Sequence, residues 1–310
     1  VAGAGTWAAL AALLLLAAAF ARASPGAPYA SLVEAAQGLW ERHVEGSNVP
    51  KPELFACLSM SVHLLLFWPL ALGCYALDVL RPALVAPFKV QETQTLAPGK
   101  FAKCCALAAF NQGLSYCLLV LYARHVLPHV SAADPWAASN MPSVLSCALS
   151  LGAAGVAAEV WFYCVHRIFH LSDWLWAHVH SVHHSVTAPT VVVALYQHPA
   201  EWVLNAFPTT VIGPMLLGQH VAFYLLWALF GTFDTCFVHA GWHLPFMPSP
   251  EFHDYHHEKM TGNFGITGTL DAAFRSSAKF AKSWQGRLSK VYADASWPLD
   301  KAVERGAAPG

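Results

Sequence analysis

Four long stretches of the chain carry no charged residue: 54–77, 104–123, 135–158 and 202–233. A helix crossing the hydrocarbon core needs about 20 apolar residues, so the first three read as membrane spans. The third is predicted to continue to about Val165, which takes Glu159 into the span. A carboxylate there is costly and is a functional candidate by default. The fourth stretch is too long for one helix and slightly short for two. Extended to 197–238, with breaks at Gly213-Pro214 and Gly218-Gln219-His220, it reads as a helical hairpin that enters and leaves on one side. A shorter apolar run, 7–21, reads either as a signal-peptide core ahead of Ala21-Arg22-Ala23 or as the end of a first anchor. The expected fold is all-α, a polytopic membrane helical bundle with a cytosolic histidine-rich cap.

Composition supports the membrane assignment. Of 310 residues 56% are hydrophobic and 11% charged, against about 25% charged in an average soluble domain. Lysine and arginine number 17 and the acids 18, so no basic surplus is available for nucleic acid. With the histidine-rich segments in the cytosol, 13 Lys and Arg fall inside and 4 outside, in accord with the positive-inside rule. The eight cysteines form no C-x-x-C pair, so they suggest neither a disulfide framework nor a zinc finger. Toward the C-terminus Arg275, Lys279, Lys282, Arg287 and Lys290 accompany Phe280, Trp284, Leu288 and Val291, which share one helical face. That pattern predicts an amphipathic helix, lying on a membrane surface or simply solvated.

Histidine changes the picture most. Thirteen of the 17 histidines lie between His166 and His257. They form four groups: His166/His170, His180/His183/His184, His239/His243 and His253/His256/His257. Every group contains an i,i+4 pair, which on a helix places two imidazoles on one face. Ten imidazoles exceed what one ion can use and suit two metals at about five each. Nitrogen donors favour Fe, Zn, Cu or Ni over Mg or Ca. Glu159, Asp234, Asp254 and Asp271 are candidates for orienting the imidazoles from behind. His43, His63, His125, His129 and His220 read as structural or interfacial, and His178 as off the ligand face. There is no H-E-x-x-H, which a membrane metalloprotease needs, and no G-x-S-x-G. Ligands at span ends, rather than in mid-span, also argue against a zinc transporter.

With these residues in view, 157–271 resembles the fatty acid hydroxylase/sterol desaturase superfamily of membrane di-iron enzymes. The likeness is carried by H-x3-H (His166, His170) and two H-x2-H-H motifs (His180, His183, His184; His253, His256, His257). Trp161-Phe162-Tyr163, Ala188-Pro189, His198-Pro199-Ala200-Glu201 and His239-Ala240-Gly241-Trp242-His243 add to it. The stretch from His243 to His257 is most similar to the group of fatty acid hydroxylase domain-containing protein 2 and the C-4 methylsterol oxidases. The family's usual Phe/His-Gly-Thr-Asp element is replaced here by Phe274-Arg275-Ser276-Ser277, so a difference in substrate fit is expected at the cap.

The resemblance implies a division into an N-terminal apolar segment and linker (1–53), transmembrane helices (54–156), a di-metal catalytic domain (157–271) and a basic tail (272–310). It implies all ten histidines as ligands, with His198 and Glu201 joining the four carboxylates behind them. It implies two Fe ions, with Zn able to replace them in a purified sample, and O2. Electrons would come from a separate donor, cytochrome b5 or its reductase with NAD(P)H, because the chain has no His-Pro-Gly-Gly haem motif. The implied activity is a monooxygenase acting on a membrane lipid, with a 4-methylsterol first and fatty acyl hydroxylation or sterol desaturation as alternatives. A non-catalytic metal-binding membrane protein is the rival of another class. The implied location is the endoplasmic reticulum membrane with the histidines facing the cytosol; the Ala-rich start leaves a plastid address open.

Overall fold

The computed structural model describes residues 28–131, 133–245, 247–289 and 297–305. The run at 7–21, Lys290 and Val291 lie outside them. The principal helices are α1 (Pro28–Trp40), α2 (Lys51–Leu80), α3 (Pro98–His125), α4 (Val144–Leu171), α5 (Ser181–His184), α6 (Phe207–Leu216), α7 (Val221–Val238), α8 (Glu251–Lys259) and α9 (Trp297–Glu304). No strand occurs among the described residues, only an isolated bridge between Lys89 and Trp242. Four helices, α2, α3, α4 and α7, are long and apolar enough to cross a membrane.

The third span starts later than its charge-free run. Pro135 to Met141 hold no α-helix, only a 3-10 turn at Ala138–Asn140: Asp134 Oδ1 accepts from Trp136 N at 2.9 Å, and Asn140 Nδ2 donates to the Asp134 carbonyl at 3.0 Å. Such side-chain-to-backbone turns compete with helix, and the helix begins two residues past Pro142. At its other end α4 runs on to Leu171 and so carries His166 and His170. The predicted hairpin breaks at Gly218, which has φ +57°, and not at Pro214, which stays inside α6.

The chain forms two compact units. One comprises the described residues up to Leu65 together with Gln112–Ala158 and Thr209–Gly231. Its aromatic core joins Phe55, Tyr122 and Tyr224, and the two tyrosine hydroxyls hydrogen-bond. Gly213 lets α6 close on α4, since a Cβ there would meet that of Ala154 at 2.5 Å. Small residues permit this close approach where helices pack in lipid.

The other unit comprises Leu66–Asn111, Glu159–Pro208 and the residues from Thr232 on, and contains every histidine of the four groups. Here the chain around Phe88 pairs with the segment after α7: Val90 N donates to Gly241 O and His243 N to Phe88 O. Lys89 is buried in an ion pair with Asp78, which also accepts from Trp242 Nε1 at 2.9 Å. From α9, Lys301 Nζ donates to the carbonyls of Pro87 and Lys89 at 2.8 and 2.9 Å, tying the C-terminal helix down.

Among the described residues the predicted amphipathic tail helix does not form as one helix. Its residues instead form a short turn, Phe280–Lys282, and a short helix, Trp284–Leu288. Ser283 caps that helix by accepting from Gly286 N, and a Cβ on Gly286 would meet Phe280 O at 2.0 Å, so the chain folds back tightly. The apolar residues serve packing instead: Phe280 covers α8 through Phe252 and Tyr255, with ring centroids at 5.3 and 5.4 Å.

Candidate metal centre

The local sequence decides where each imidazole points. His166 and His170 lie one turn apart near the end of α4. The stretch Asp173–Leu175 leads into a π-helical turn, Trp176–His180, and then α5, which together carry His180, His183 and His184. Single π-turns concentrate at functional sites. His239 directly follows α7, and α8 carries His253, His256 and His257.

Nine of the ten rings gather into two groups. His166, His170, His180, His184 and His256 form one, and His183, His239, His253 and His257 the other; within each, the donor atoms lie within 4.8 Å of one another. Each H-x2-H-H motif therefore serves both groups. Its outer pair, at i and i+4, goes to one, and the histidine between them goes to the other.

His180 is the hub of the first group. Its Nε2 lies 3.1 Å from that of His166, 2.9 Å from that of His170 and 3.0 Å from that of His184; His256 Nε2 is 3.1 Å from that of His184. In the second group His253 Nε2 stands 2.9 Å from that of His239 and 3.1 Å from that of His257. Rings of the two groups approach each other closely, His184 and His257 having centroids 4.9 Å apart.

The outward nitrogens are largely committed. His166 Nδ1 pairs with Phe264 O at 2.8 Å, His256 Nδ1 with Gly262 O at 2.7 Å, His257 Nδ1 with Val186 O at 2.9 Å and His239 Nδ1 with Thr235 O at 2.8 Å. A carbonyl only accepts, so each Nδ1 carries the proton. In a neutral ring the inward Nε2 is then a bare lone pair. Burial, the largest cause, and the neighbouring imidazoles hold His180, His183, His184, His253 and His257 well below the ordinary histidine range. Burial brings His239 and His256 down to about 4. Neutral lone pairs facing each other at 3 Å repel, and a cation between them turns that repulsion into ligation. Two nitrogens about 2.1 Å from one ion and at right angles to each other lie about 3.0 Å apart, which is the spacing seen. The donor set therefore fits a nitrogen-preferring transition metal in each group.

Histidines whose folded-state titration falls from 6.5 to about 4 make stability pH-dependent. Between these values the unfolded chain takes up protons that the folded chain refuses, so stability falls as pH falls through the window. Metal-free protein in detergent is expected to melt at lower temperature at pH 5 than at pH 7.5, as followed by helical circular dichroism.

The carboxylates divide by role. Glu201, fully buried and with its carboxyl held well above the usual range by burial, lies 2.9 Å from His180 Nδ1 and supports the hub. Carboxylates behind metal-bound histidines typically contribute 10–100-fold in affinity, so Glu201→Gln is expected to weaken metal retention by roughly that factor in a chelator competition. Glu159 and Asp271 touch no ligand ring; they fasten the loop behind them. Glu159 accepts from Ile266 N, Thr267 N and Leu270 N, while Asp271 accepts from Phe264 N and Gly265 N. Asp254 accepts from Gln91 Nε2, His198 Nδ1 accepts from Ala200 N, and Asp234 lies exposed on α7. The replaced element is built into the same loop: Ser276 Oγ donates to Asp271, and Phe274 stacks on Tyr163 at 5.6 Å.

His243 departs from the expected ten. The i,i+4 argument needs a helix, but α7 ends at Val238 and Gly241 has φ +67°, so His243 leaves on extended chain. Its Nδ1 donates to Glu251 Oε1 at 2.6 Å, and its ring packs on Trp297 at 5.1 Å. Glu251 was not singled out from sequence; its place as the first helical residue after Ser249-Pro250 is the available signal.

Several known proteins are similar to the chain. A family model described as fatty acid hydroxylase matches residues 151–276. The chain is 29% identical to fatty acid hydroxylase domain-containing protein 2 of Homo sapiens over 80% of this chain and 74% of that protein. It is 30% identical to a methylsterol monooxygenase-like protein of Dictyostelium discoideum over 70% of this chain and 83% of that one. A very-long-chain aldehyde decarbonylase of Oryza sativa is 38% identical over 34% of this chain and 43% of its own length. No solved structure matches the chain. On the family model and the relatives, the chain belongs to the fatty acid hydroxylase family.

Proposed function

We propose that this protein is an O2-dependent lipid monooxygenase carrying one iron ion in each histidine group, with a C-4 methylsterol as its substrate. The observation that carries the reading is the inward convergence of nine histidine donors in two sets, spaced as ligands of two ions. Two bound iron ions would supply activation of O2 for attack on an unactivated C–H bond. The protein's part is placement and shielding. The Phe264 ring lies 5.9, 5.1 and 5.9 Å from His166, His170 and His256, and Trp176 lies 5.1, 5.8 and 5.3 Å from His170, His180 and His184. These aromatic walls exclude water from the five-histidine group, of which only His170 is partly exposed.

The sterol assignment is supported by the methylsterol monooxygenase-like relatives. A long-chain acyl or aldehyde substrate is the second reading, favoured by the decarbonylase relatives. Electrons would come from a separate carrier such as cytochrome b5 or its reductase. The charge distribution, 13 basic residues against 4, supports a cytosol-facing site, and the family resemblance supports a multi-pass protein of the endoplasmic reticulum.

The test is turnover of iron-loaded protein in bilayer discs with a reductase system, O2 and either a 4-methylsterol or a long-chain acyl lipid. Oxidation at the sterol methyl, with matching O2 consumption, is expected. Oxidation of the acyl lipid alone would move the substrate to the second reading, and iron-loaded protein that oxidises neither would count for a non-catalytic role.

A further inference from the structure

His243 and Glu251 are both fully buried, and they close the seven-residue loop 244–250, which contains Pro245, Pro248 and Pro250. Each is held at its far side. The backbone of His243 donates to Phe88 O at 2.9 Å, and Ser249 Oγ donates to the second oxygen of Glu251. Glu251 is the first residue of α8, whose preceding residue, Pro250, gives no side-chain cap. A carboxylate in the first turn also complements the helix dipole. From that fixed start, α8 delivers His253 and His257 to one group and His256 to the other. A small rotation or slide of α8 would thus displace donors in both groups together.

We propose that His243 is a positioning residue and not a metal ligand: through Glu251 it sets the start of α8 and the placement of three imidazoles that serve both groups. This rests on the two-metal reading above. The ring nitrogen that faces Glu251 is Nδ1, and an asparagine amide can place an N–H near that position. A glutamine amide reaches instead toward the place of Nε2, the atom by which the other histidines converge.

The experiment compares wild-type protein with His243→Asn, His243→Gln, His243→Ala and Glu251→Gln, each loaded with Co2+ in detergent. Metal per chain, the rate of release to a chelator and the visible absorption of the bound Co2+ are read. His243→Asn is expected to keep two ions and near wild-type release. His243→Gln, His243→Ala and Glu251→Gln are expected to release both ions faster by a similar factor, roughly 10–100-fold. Because α8 feeds both groups, any change in the spectrum should appear in both ions together. His243→Ala combined with Glu251→Gln should be no worse than either alone, because the pair acts as one unit. Selective loss of one ion, a spectral change confined to one ion, rescue by glutamine but not asparagine, or loss of both ions from His243→Asn would each overturn the assignment. A wild-type chain that binds no metal would remove the two-metal reading itself and the inference with it. That outcome is distinct from wild-type protein that loads two ions while the variants behave otherwise than expected.

Discussion

His180→Ala is expected to empty the five-histidine group while the four-histidine group stays loaded, so that metal content falls from two ions per chain to one. The ring removed is the one in contact with three others, at 3.1, 2.9 and 3.0 Å, and the one that Glu201 supports. Losing a single outer hydrogen bond to a ligand commonly costs 10–100-fold, and losing the hub ligand itself should exceed that, taking activity below detection. The informative control is three residues away. His183 shares the same short helical stretch yet belongs to the other group, so His183→Ala should spare the five-histidine group and empty its neighbour. His256→Ala and His257→Ala should repeat the contrast on α8, His256 acting with the first group and His257 with the second. Metal analysis together with a site-resolved spectrum of Co2+-loaded protein separates the outcomes. Equal loss from both groups in all four variants would mean that the donors form one undivided cluster.

How much of this could be read from the sequence follows from the range of each argument. Charge-free runs located the four helices long enough to span, because burial in lipid constrains composition over some 20 residues at once. The start of α4 was missed by nine residues, since Asp134 and Asn140 build a local turn that hydropathy does not register. Helical spacing brought together His166 with His170, His180 with His184, and His253 with His257, for in each case the chain is helical between the two. The same rule failed for His239 and His243, where Gly241 turns the chain out of the helix. Periodicity likewise suggested one tail helix, whereas Ser283 and Gly286 fold those residues back over α8. The division into five and four depends on contacts such as that of His256 with His184, 72 positions apart. Spacing within a motif cannot reveal it. Glu159 stood out as a carboxylate in an apolar run, but its partners, three amides more than 100 positions away, come only from the fold.

Those partners make Glu159 the other position where a single change should matter greatly. The loop behind the five-histidine group has two fastenings, Glu159 at Ile266, Thr267 and Leu270, and Asp271 at Phe264 and Gly265. Gly265 sits between them because nothing larger fits: a Cβ would lie 2.5 Å from Glu159 Oε1 and 3.0 Å from Asp271 Oδ2. The same loop presents the carbonyls of Phe264 and Gly262, which hold His166 and His256 through Nδ1. Glu159→Ala therefore leaves three backbone N–H groups without their acceptor. With hydrogen bonds to a charged group contributing about 1.5–3 kcal/mol each, and some of that recovered by water at the partly exposed end, a loss of about 3 kcal/mol is expected. Glu159→Gln should lose less, since its carbonyl still accepts, although its amide then faces N–H groups. The consequence for metal is selective, because the loop's carbonyls hold His166 and His256, whereas His257 is held by Val186 O and His239 by Thr235 O, both outside the loop. Both Glu159 variants should thus lower the apparent melting temperature and hasten release from the five-histidine group while release from the other stays near wild type. A stable Glu159→Ala protein that releases both ions at wild-type rates would show that this loop does not govern how the two imidazoles are held.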